Sequence, residues 1–139
     1  MVKKKQKILA LVIILLALGV SFVYAFFFQE KPIARESLPE VKGFEKFAPS
    51  KITFADQKKV VLFFNATWCV TCNEVMLELP TIEIPENILF LSVDFDTEAE
   101  LRKKYGVALQ HTFVEVNSRG EMIQKWAGGS LKEAVEKLK

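Results

Sequence analysis

The order of apolar and polar residues divides the chain into an uncharged amino-terminal stretch, a short polar segment and a body in which strand and helix patterns alternate. Residues 8–28 form 21 consecutive positions without a charge, ILALVIILLALGVSFVYAFFF. As an α-helix this stretch would rise ~31 Å, about the thickness of the hydrocarbon core of a bilayer. It is apolar on every face, unlike the amphipathic helix of a soluble core. The pattern therefore predicts a transmembrane helix.

Four lysines precede this stretch, and no acidic residue occurs before Glu30. Because Lys and Arg beside a membrane segment stay on the cytoplasmic side, we expect residues 1–7 to be a basic cytoplasmic terminus and residues 8–28 a signal anchor in the cytoplasmic membrane. The rest of this single-pass protein would then be extracytoplasmic. A cleaved signal peptide is the alternative, since Ala25 and its neighbours suit a cleavage site that would release a secreted protein. The apolar run continues past Ala25 to Phe28, which favours the uncleaved anchor.

The polar segment, residues 29–42, contains Pro32 and Pro39 and has no apolar periodicity. This composition is typical of an extended linker. It would hold the following domain, residues 43–139, away from the membrane.

The strands of this domain are predicted from runs of apolar and β-branched residues. Residues 59–65 and 88–93 have no polar face, which indicates strands covered on both sides. Residues 43–49 are predicted to contain a short edge strand. Residues 112–116 and 121–126 flank the turn sequence Asn-Ser-Arg-Gly and predict a β-hairpin.

The helices are predicted from capping residues and helix breakers. We expect Ser50 to cap a helix through Gln57, and residues 69–79 to form a helix that Pro80 ends. Two capping boxes, Thr97 with Glu100 and Ser130 with Glu133, predict two more helices, the first ending at Gly106. The order β-α-β-α-β-α-β-β-α predicts an α/β domain with a central mixed sheet flanked by helices. Seven phenylalanines are expected in its core: Phe44, Phe47, Phe54, Phe63, Phe64, Phe90 and Phe113.

The charge distribution argues against nucleic acid as a partner. The chain has 19 Lys and Arg and 17 Asp and Glu, and without the four amino-terminal lysines 15 basic and 17 acidic residues remain. Nucleic-acid binding needs clustered positive charge, which this body lacks. Asp94 and Asp96, at a strand end, and Glu74 and Glu78, on a helix, are expected on the solvated surface.

The two cysteines, Cys69 and Cys72, are separated by two residues at the start of a predicted helix that follows a buried strand. The unpaired N–H groups of a helix start favour a thiolate, which would lower the pKa of Cys69 and make it the attacking sulfur. Cys72, one turn deeper, would resolve the mixed disulfide. The context favours a redox motif. Half of a metal site and a purely structural disulfide remain as alternatives, although so small a loop would constrain the unfolded chain very little.

Residues 60–72, VVLFFNATWCVTC, resemble the thioredoxin family, as do Tyr105-Gly106-Val107, His111-Thr112 and Gly128 before the last helix. The resemblance covers about residues 43–139. It implies a thioredoxin-like fold and thiol–disulfide exchange with protein thiols and disulfides. It also implies no cofactor beyond the redox-active disulfide. In this reading Cys69 and Cys72 are catalytic, while Trp68, His111 and Thr112 are supporting residues. The Val-Thr pair between the cysteines is closer to the Val-Ala of the C-terminal domain of the DsbD reductase than to the Gly-Pro of cytosolic thioredoxins.

Two positions depart from the family pattern. Phe63 stands where the family has a buried Asp six residues before the first cysteine, and His111 stands where it has a cis-proline. Because a non-proline cis bond costs ~3–4 kcal/mol, we expect a trans peptide or a strained backbone at His111. Close to the thiols, an imidazolium would favour the Cys69 thiolate and a neutral imidazole could take the proton of Cys72. A simple loop residue, hydrogen-bonded to a neighbour, is the alternative.

Three functions fit these observations. The favoured one is a membrane-tethered thiol–disulfide oxidoreductase acting on extracytoplasmic proteins. The second is a metal-handling module, for copper for example, that uses both cysteines and His111. The third is a thioredoxin-like interaction domain without catalysis. Trp68 and the position of the cysteine pair at a helix start favour the first.

Overall fold

The computed structural model describes residues 41–139. The predicted cytoplasmic terminus, the signal anchor and residues 29–40 of the predicted linker lie outside the described residues. None of the helices between residues 41 and 139 has the length and apolar character needed to cross a bilayer.

The centre of the domain is a five-stranded mixed sheet in the order β1-β3-β2-β4-β5. β2 and β1 each run parallel to β3, whereas β4 runs antiparallel to β2 and β5 antiparallel to β4. The side chains of β2 and β3 are buried except at the strand ends, as expected for strands without a polar face. The mixed sheet and the hairpin are therefore confirmed. The strands are β1 (Phe44–Lys46), β2 (Lys59–Asn65), β3 (Ile88–Asp94), β4 (Thr112–Val116) and β5 (Met122–Ala127).

The helices follow the predicted order between the strands. A 3₁₀ helix joins β1 to β2, and the first α-helix continues into a short 3₁₀ turn that contains Pro80. The capping box at the start of the last helix is confirmed, because the Ser130 hydroxyl accepts from the Glu133 amide and the Glu133 carboxylate accepts from the Ser130 amide. The helical elements are the 3₁₀ helix Pro49–Asp56, α1 (Val70–Glu78), the 3₁₀ turn Leu79–Thr81, α2 (Ala99–Tyr105) and α3 (Leu131–Lys137).

Two of the predicted helix-capping residues, Ser50 and Thr97, are wrong. The 3₁₀ helix begins after Ala48 rather than at Ser50, with Pro49 in its first turn, where a fixed φ and a missing N–H cost nothing. The start of α2 has no side-chain cap at all. Instead, the Asp94 carboxylate at the end of β3 accepts hydrogen bonds from the amides of Asp96 and Thr97, at 2.9 and 3.0 Å. Asp94, three residues before Thr97, thus accepts the Thr97 amide that the Glu100 carboxylate would accept in the predicted capping box.

The end of α2 follows the prediction. Gly106 has the left-handed φ of +60°, and its N–H donates to the carbonyls of Arg102 and Lys103. A residue without a Cβ adopts this conformation at least cost, so the glycine ends the helix.

The predicted core is confirmed with one exception. Phe54 is 47% exposed, whereas Phe47 and Ile52 pack partly buried against the core. The 3₁₀ helix turns once every three residues, so side chains at positions 52 and 54 do not share a face. The five other predicted phenylalanines are buried: Phe44, Phe63, Phe64, Phe90 and Phe113.

The register of the sheet brings three loops to one edge. Phe64 near the end of β2 pairs with Thr112 at the start of β4, and Thr112 pairs in turn with Ala127 at the end of β5. The segment that follows β2, the residue that precedes β4 and the segment that follows β5 therefore meet. These are the positions of the cysteine pair, His111 and the loop Gly128-Gly129.

Candidate active site

The cysteine pair lies at the start of α1. Cys69 is the capping residue, with extended backbone angles, and Cys72 lies in the first turn. The two residues form a disulfide with their Cα atoms 5.2 Å apart. Both are buried, with 3% and 1% of their surface exposed. The predicted helix started one residue too early, because Cys69 caps α1 instead of belonging to it.

The sulfur of Cys69 is surrounded by groups that donate hydrogen bonds. The amide nitrogen of Cys72 lies 3.1 Å from it and donates to it, and the Thr71 hydroxyl oxygen lies 3.5 Å away. No acidic residue occurs in the first turn of α1. Amide and hydroxyl donors at a helix start stabilise a thiolate. The helix start is predicted from the sequence, whereas the contact of the Thr71 hydroxyl, two positions after the capping residue, is seen only in the structure.

Trp68 is held by the carboxylate of Asp96, which follows the end of β3. Its side chain is 58% exposed, and its indole Nε1 donates to Asp96 Oδ2 at 2.8 Å. Asp96 is exposed but is more than a solvated strand end, because it fixes the ring that precedes Cys69. No sequence signal links two residues that are 28 positions apart.

His111 is buried at the start of β4, with 8% of its surface exposed. No peptide bond in residues 41–139 is cis, and His111 adopts φ = +56°, the only non-glycine residue there with a positive φ. Of the two predicted alternatives, the trans peptide is therefore confirmed. Histidine is among the residues that tolerate this left-handed region better than most.

Two hydrogen bonds tie His111 to the loop after β5. Its backbone carbonyl accepts from the Gly128 amide at 2.8 Å, and its ring Nε2 lies 2.8 Å from the Gly129 carbonyl oxygen. Because a carbonyl oxygen only accepts, Nε2 must carry the hydrogen. In the neutral ring, Nδ1 is then the nitrogen with a free lone pair.

The His111 ring lies beside the disulfide. One of its nitrogens and the two cysteine sulfurs are all within 4.8 Å of one another. The ring also packs edge-on against Phe63 and Phe113, with centroids 5.7 and 5.8 Å away. Phe63 stacks on Phe113 at 4.5 Å, so an aromatic pair occupies the position where the family carries a carboxylate. The structure thus brings Cys69, Cys72 and His111 together.

Thr112 supports the same loop through its side chain. Its hydroxyl donates to the Leu109 carbonyl at 2.8 Å, and its side chain is buried. This contact stabilises the turn that presents His111, and it makes no hydrogen bond to the sulfurs.

A groove of about 440 Å³ opens beside the site, between α1 and the loops that carry His111 and Gly129. Glu74 and Glu78 line one wall of it. Glu78 was expected on the solvated surface. It is instead partly buried, and its carboxylate accepts from the Leu131 amide at the start of α3, at 2.9 Å. The groove is therefore bounded by α1 and by the start of the last helix.

Residues 44–138 match the sequence model of the thioredoxin family. The chain is 37% identical to Thioredoxin H5 of Oryza sativa subsp. japonica over 84 residues, which are 58% of this chain and 60% of that protein. It is 28% identical to Monothiol glutaredoxin-4 of Saccharomyces cerevisiae over 102 residues, 71% of this chain and 41% of that protein. The match thus spans less than two thirds of either relative.

Solved structures agree with the observed fold. The thioredoxin of Fasciola hepatica superimposes with a TM-score of 0.54 at 28% identity, covering 65% of this chain and 89% of that one. Trxlp from Edwardsiella tarda gives a TM-score of 0.56 at 22% identity, covering 68% and 96%.

Proposed function

Because the chain belongs to the thioredoxin family, we propose that it is a thiol–disulfide oxidoreductase whose exchange chemistry is carried by Cys69 and Cys72. The observation that carries this proposal is the position of Cys69. Its sulfur caps α1 and receives the Cys72 amide at 3.1 Å, so a negative charge on that sulfur is stabilised when the disulfide is reduced. A purely structural disulfide does not need this arrangement.

The exchange proceeds in two steps that conserve electrons and protons. In the reduced protein, the Cys69 thiolate attacks one sulfur of a substrate disulfide and forms a mixed disulfide, while the other substrate sulfur leaves as a thiolate. Cys72 then loses its proton and attacks the Cys69 sulfur. The second substrate thiolate leaves, the Cys69–Cys72 disulfide remains, and the substrate has gained two electrons. In the reverse direction the same steps oxidise a dithiol.

His111 takes the proton of Cys72 in this proposal. Cys72 is 1% exposed, so water reaches its thiol poorly, and Phe63 supplies no carboxylate. The Nδ1 atom of His111 is able to accept a proton because Nε2 already donates to Gly129. The imidazolium that forms stands within 4.8 Å of both sulfurs, where it favours a thiolate during the exchange.

Trp68 and Thr112 support this chemistry by positioning groups next to the cysteines, without taking part in the exchange. The hydrogen bond to Asp96 fixes the indole next to Cys69, and the Thr112 hydroxyl holds the loop that carries His111. Trp68 is exposed enough to contact an incoming protein substrate.

The test of the activity is the reduction of insulin by the full-length protein in detergent. We expect Cys69→Ser to abolish turnover and Cys72→Ser to accumulate a mixed disulfide with the substrate, since only the first step remains. A Cys69→Ser variant with the activity of the parent would overturn the assignment.

We further propose that the domain is tethered outside the cytoplasmic membrane and acts on proteins there. The uncharged residues 8–28 and the lysines before them support this topology. A thiol reagent that cannot cross membranes should label reduced Cys69 in intact cells, and the protein should sediment with membranes. A soluble form that begins near Ala25 would show cleavage instead. The likeness of its Val-Thr pair to the C-terminal domain of the DsbD reductase stays a prediction.

A further inference from the structure

Three metal-binding side chains converge at the amino end of α1. The two cysteine sulfurs and one ring nitrogen of His111 lie within 4.8 Å of one another, and all three residues are buried. We propose that, once the disulfide is reduced, Cys69, Cys72 and His111 bind one Cu(I) ion. This second use of the site does not depend on the exchange activity.

The donor set favours a soft cation with a low coordination number. Two thiolates and one imidazole are ligands that Cu(I) and Zn²⁺ both accept. Zn²⁺ is almost always four-coordinate in structural sites. Among residues 41–139, the only group of at least three His, Cys, Asp or Glu side chains close enough to share an ion is this set of three. Because the three donors are buried, the site suits an ion that is satisfied by two sulfurs and one nitrogen.

The surroundings of His111 prepare the ring to be a ligand. Metal-binding histidines usually donate their second N–H to a carbonyl or carboxylate, which fixes the tautomer and the ring orientation. Here Nε2 donates to the Gly129 carbonyl at 2.8 Å, and Phe63 and Phe113 hold the ring edge-on. Nδ1 is thereby left as the ligand atom, and the apolar rings exclude water from one side of the site.

Copper binding and disulfide formation exclude each other. A dithiol reductant breaks the S–S bond, giving up two electrons and two protons as it becomes a disulfide, and leaves Cys69 and Cys72 as two thiols. Cu(I) then displaces the thiol protons and binds both thiolates, and the copper keeps its oxidation state throughout. A ligand that binds only the reduced form shifts the dithiol–disulfide equilibrium towards it, by about 100-fold when free Cu(I) is 100 times its dissociation constant.

The experiment is a competition for Cu(I) without oxygen. The full-length protein, reduced and in detergent, is titrated with Cu(I) buffered by a chromogenic chelator, and the copper site is read by X-ray absorption. We expect one ion per chain with two sulfur ligands and one nitrogen ligand. The decisive variant is His111→Asn, because Asn tolerates the positive φ and supplies no imidazole. We expect it to bind copper at least about tenfold more weakly and through sulfur alone.

Two control variants distinguish the effect of the His111 ring on copper binding from the effects of the loop and of the thiols. Leu109→Ala shortens an exposed side chain of the same loop, two residues before His111, and should leave the copper affinity within twofold of the parent's. Cys72→Ser should lose the site. Equal affinity and all-sulfur ligation in the parent and His111→Asn would overturn the proposal, and so would a reduced protein that takes no Cu(I) from the chelator. Tighter binding of Zn²⁺ than of Cu(I), measured with a zinc indicator, would also overturn it. Insulin reduction tests the oxidoreductase activity separately.

Discussion

Replacing His111 with Asn should raise the pKa of Cys69 and make the reduction potential more negative. The substitution removes the imidazole and keeps a side chain that accepts the left-handed backbone, φ = +56°. His111→Ala removes the ring as well, but it adds backbone strain at this φ. Asn is therefore the variant that isolates the ring.

The size of the effect follows from the distance. For two unit charges 4.8 Å apart, the interaction is ~3.5 kcal/mol at an effective dielectric constant of 20 and ~0.9 kcal/mol in bulk water. These limits correspond to an increase of about 0.6 to 2.5 units in the pKa of Cys69 while the parent ring is protonated. Both side chains are buried, so we expect a result in the upper half of this range. Because loss of the charge destabilises the reduced form, the potential should fall, by ~20 to 75 mV for this range.

The pKa of Cys69 can be followed by thiolate absorbance or by the pH dependence of alkylation, and the potential by equilibration with glutathione. Leu109→Ala is the matched control, since it changes an exposed side chain of the same loop and leaves every charge in place. An unchanged Cys69 titration in His111→Asn would refute the reasoning. The histidine would then be a loop residue whose purpose is the hydrogen bond to Gly129.

Three more predictions concern neighbouring contacts. Thr71→Val should raise the pKa of Cys69 by less than about one unit, since the hydroxyl lies 3.5 Å from the sulfur, whereas Thr71→Ser should retain the parent value in the same alkylation assay. Ser130→Ala should lower the free energy of unfolding by about 1 kcal/mol in denaturant titrations, because it removes the cap of α3. Arg119 and Asn117 lower the pKa of Glu121 from 4.5 to about 2, so the contribution of this turn to stability should be present above about pH 4.5 and lost as the pH falls towards 2. Arg119→Gln should bring that pKa back towards 4.5, as NMR titration of the carboxyl group would show.

The sequence predicts the sheet well because burial on both faces leaves a strong signal. The bounds of β2 agree residue for residue, and those of β3 differ only by Asp94. The Ser130 capping box is equally readable, since both partners lie within one turn of the helix. Local patterns suffice wherever the interacting groups are close in the chain.

The errors arise where several local donors or acceptors compete. Ser50 could have capped a helix, but Pro49 starts the turn one residue earlier with its fixed φ. Thr97 was expected to cap α2, but the Asp94 carboxylate accepts the hydrogen bonds of the Asp96 and Thr97 amides instead. The spacing of residues in the sequence does not show which of several nearby groups caps or starts the helix.

The chemistry of the site is divided in the same way. The cysteine pair was predicted from its spacing and from the strand before it. The hydrogen bond of Trp68 to Asp96 joins residues 28 positions apart, and that of the α3 start to Glu78 joins residues 53 positions apart. A local sequence pattern does not predict contacts between residues so distant in the chain. The positive φ of His111 also depends on the packing of two loops that are distant in the chain. Local sequence therefore does not predict it.

The left-handed backbone at His111 has an evolutionary consequence. A histidine codon becomes a proline codon through a single base change, so the family's residue is one mutation away. Proline fixes φ near −65°, however, and His111 has φ = +56°, a difference of about 120°. The mutant loop would have to rotate away from Gly128 and Gly129 before the ring could fit. A change from histidine to proline at this position therefore requires a prior change in the loop, and the order in which the two mutations occur matters.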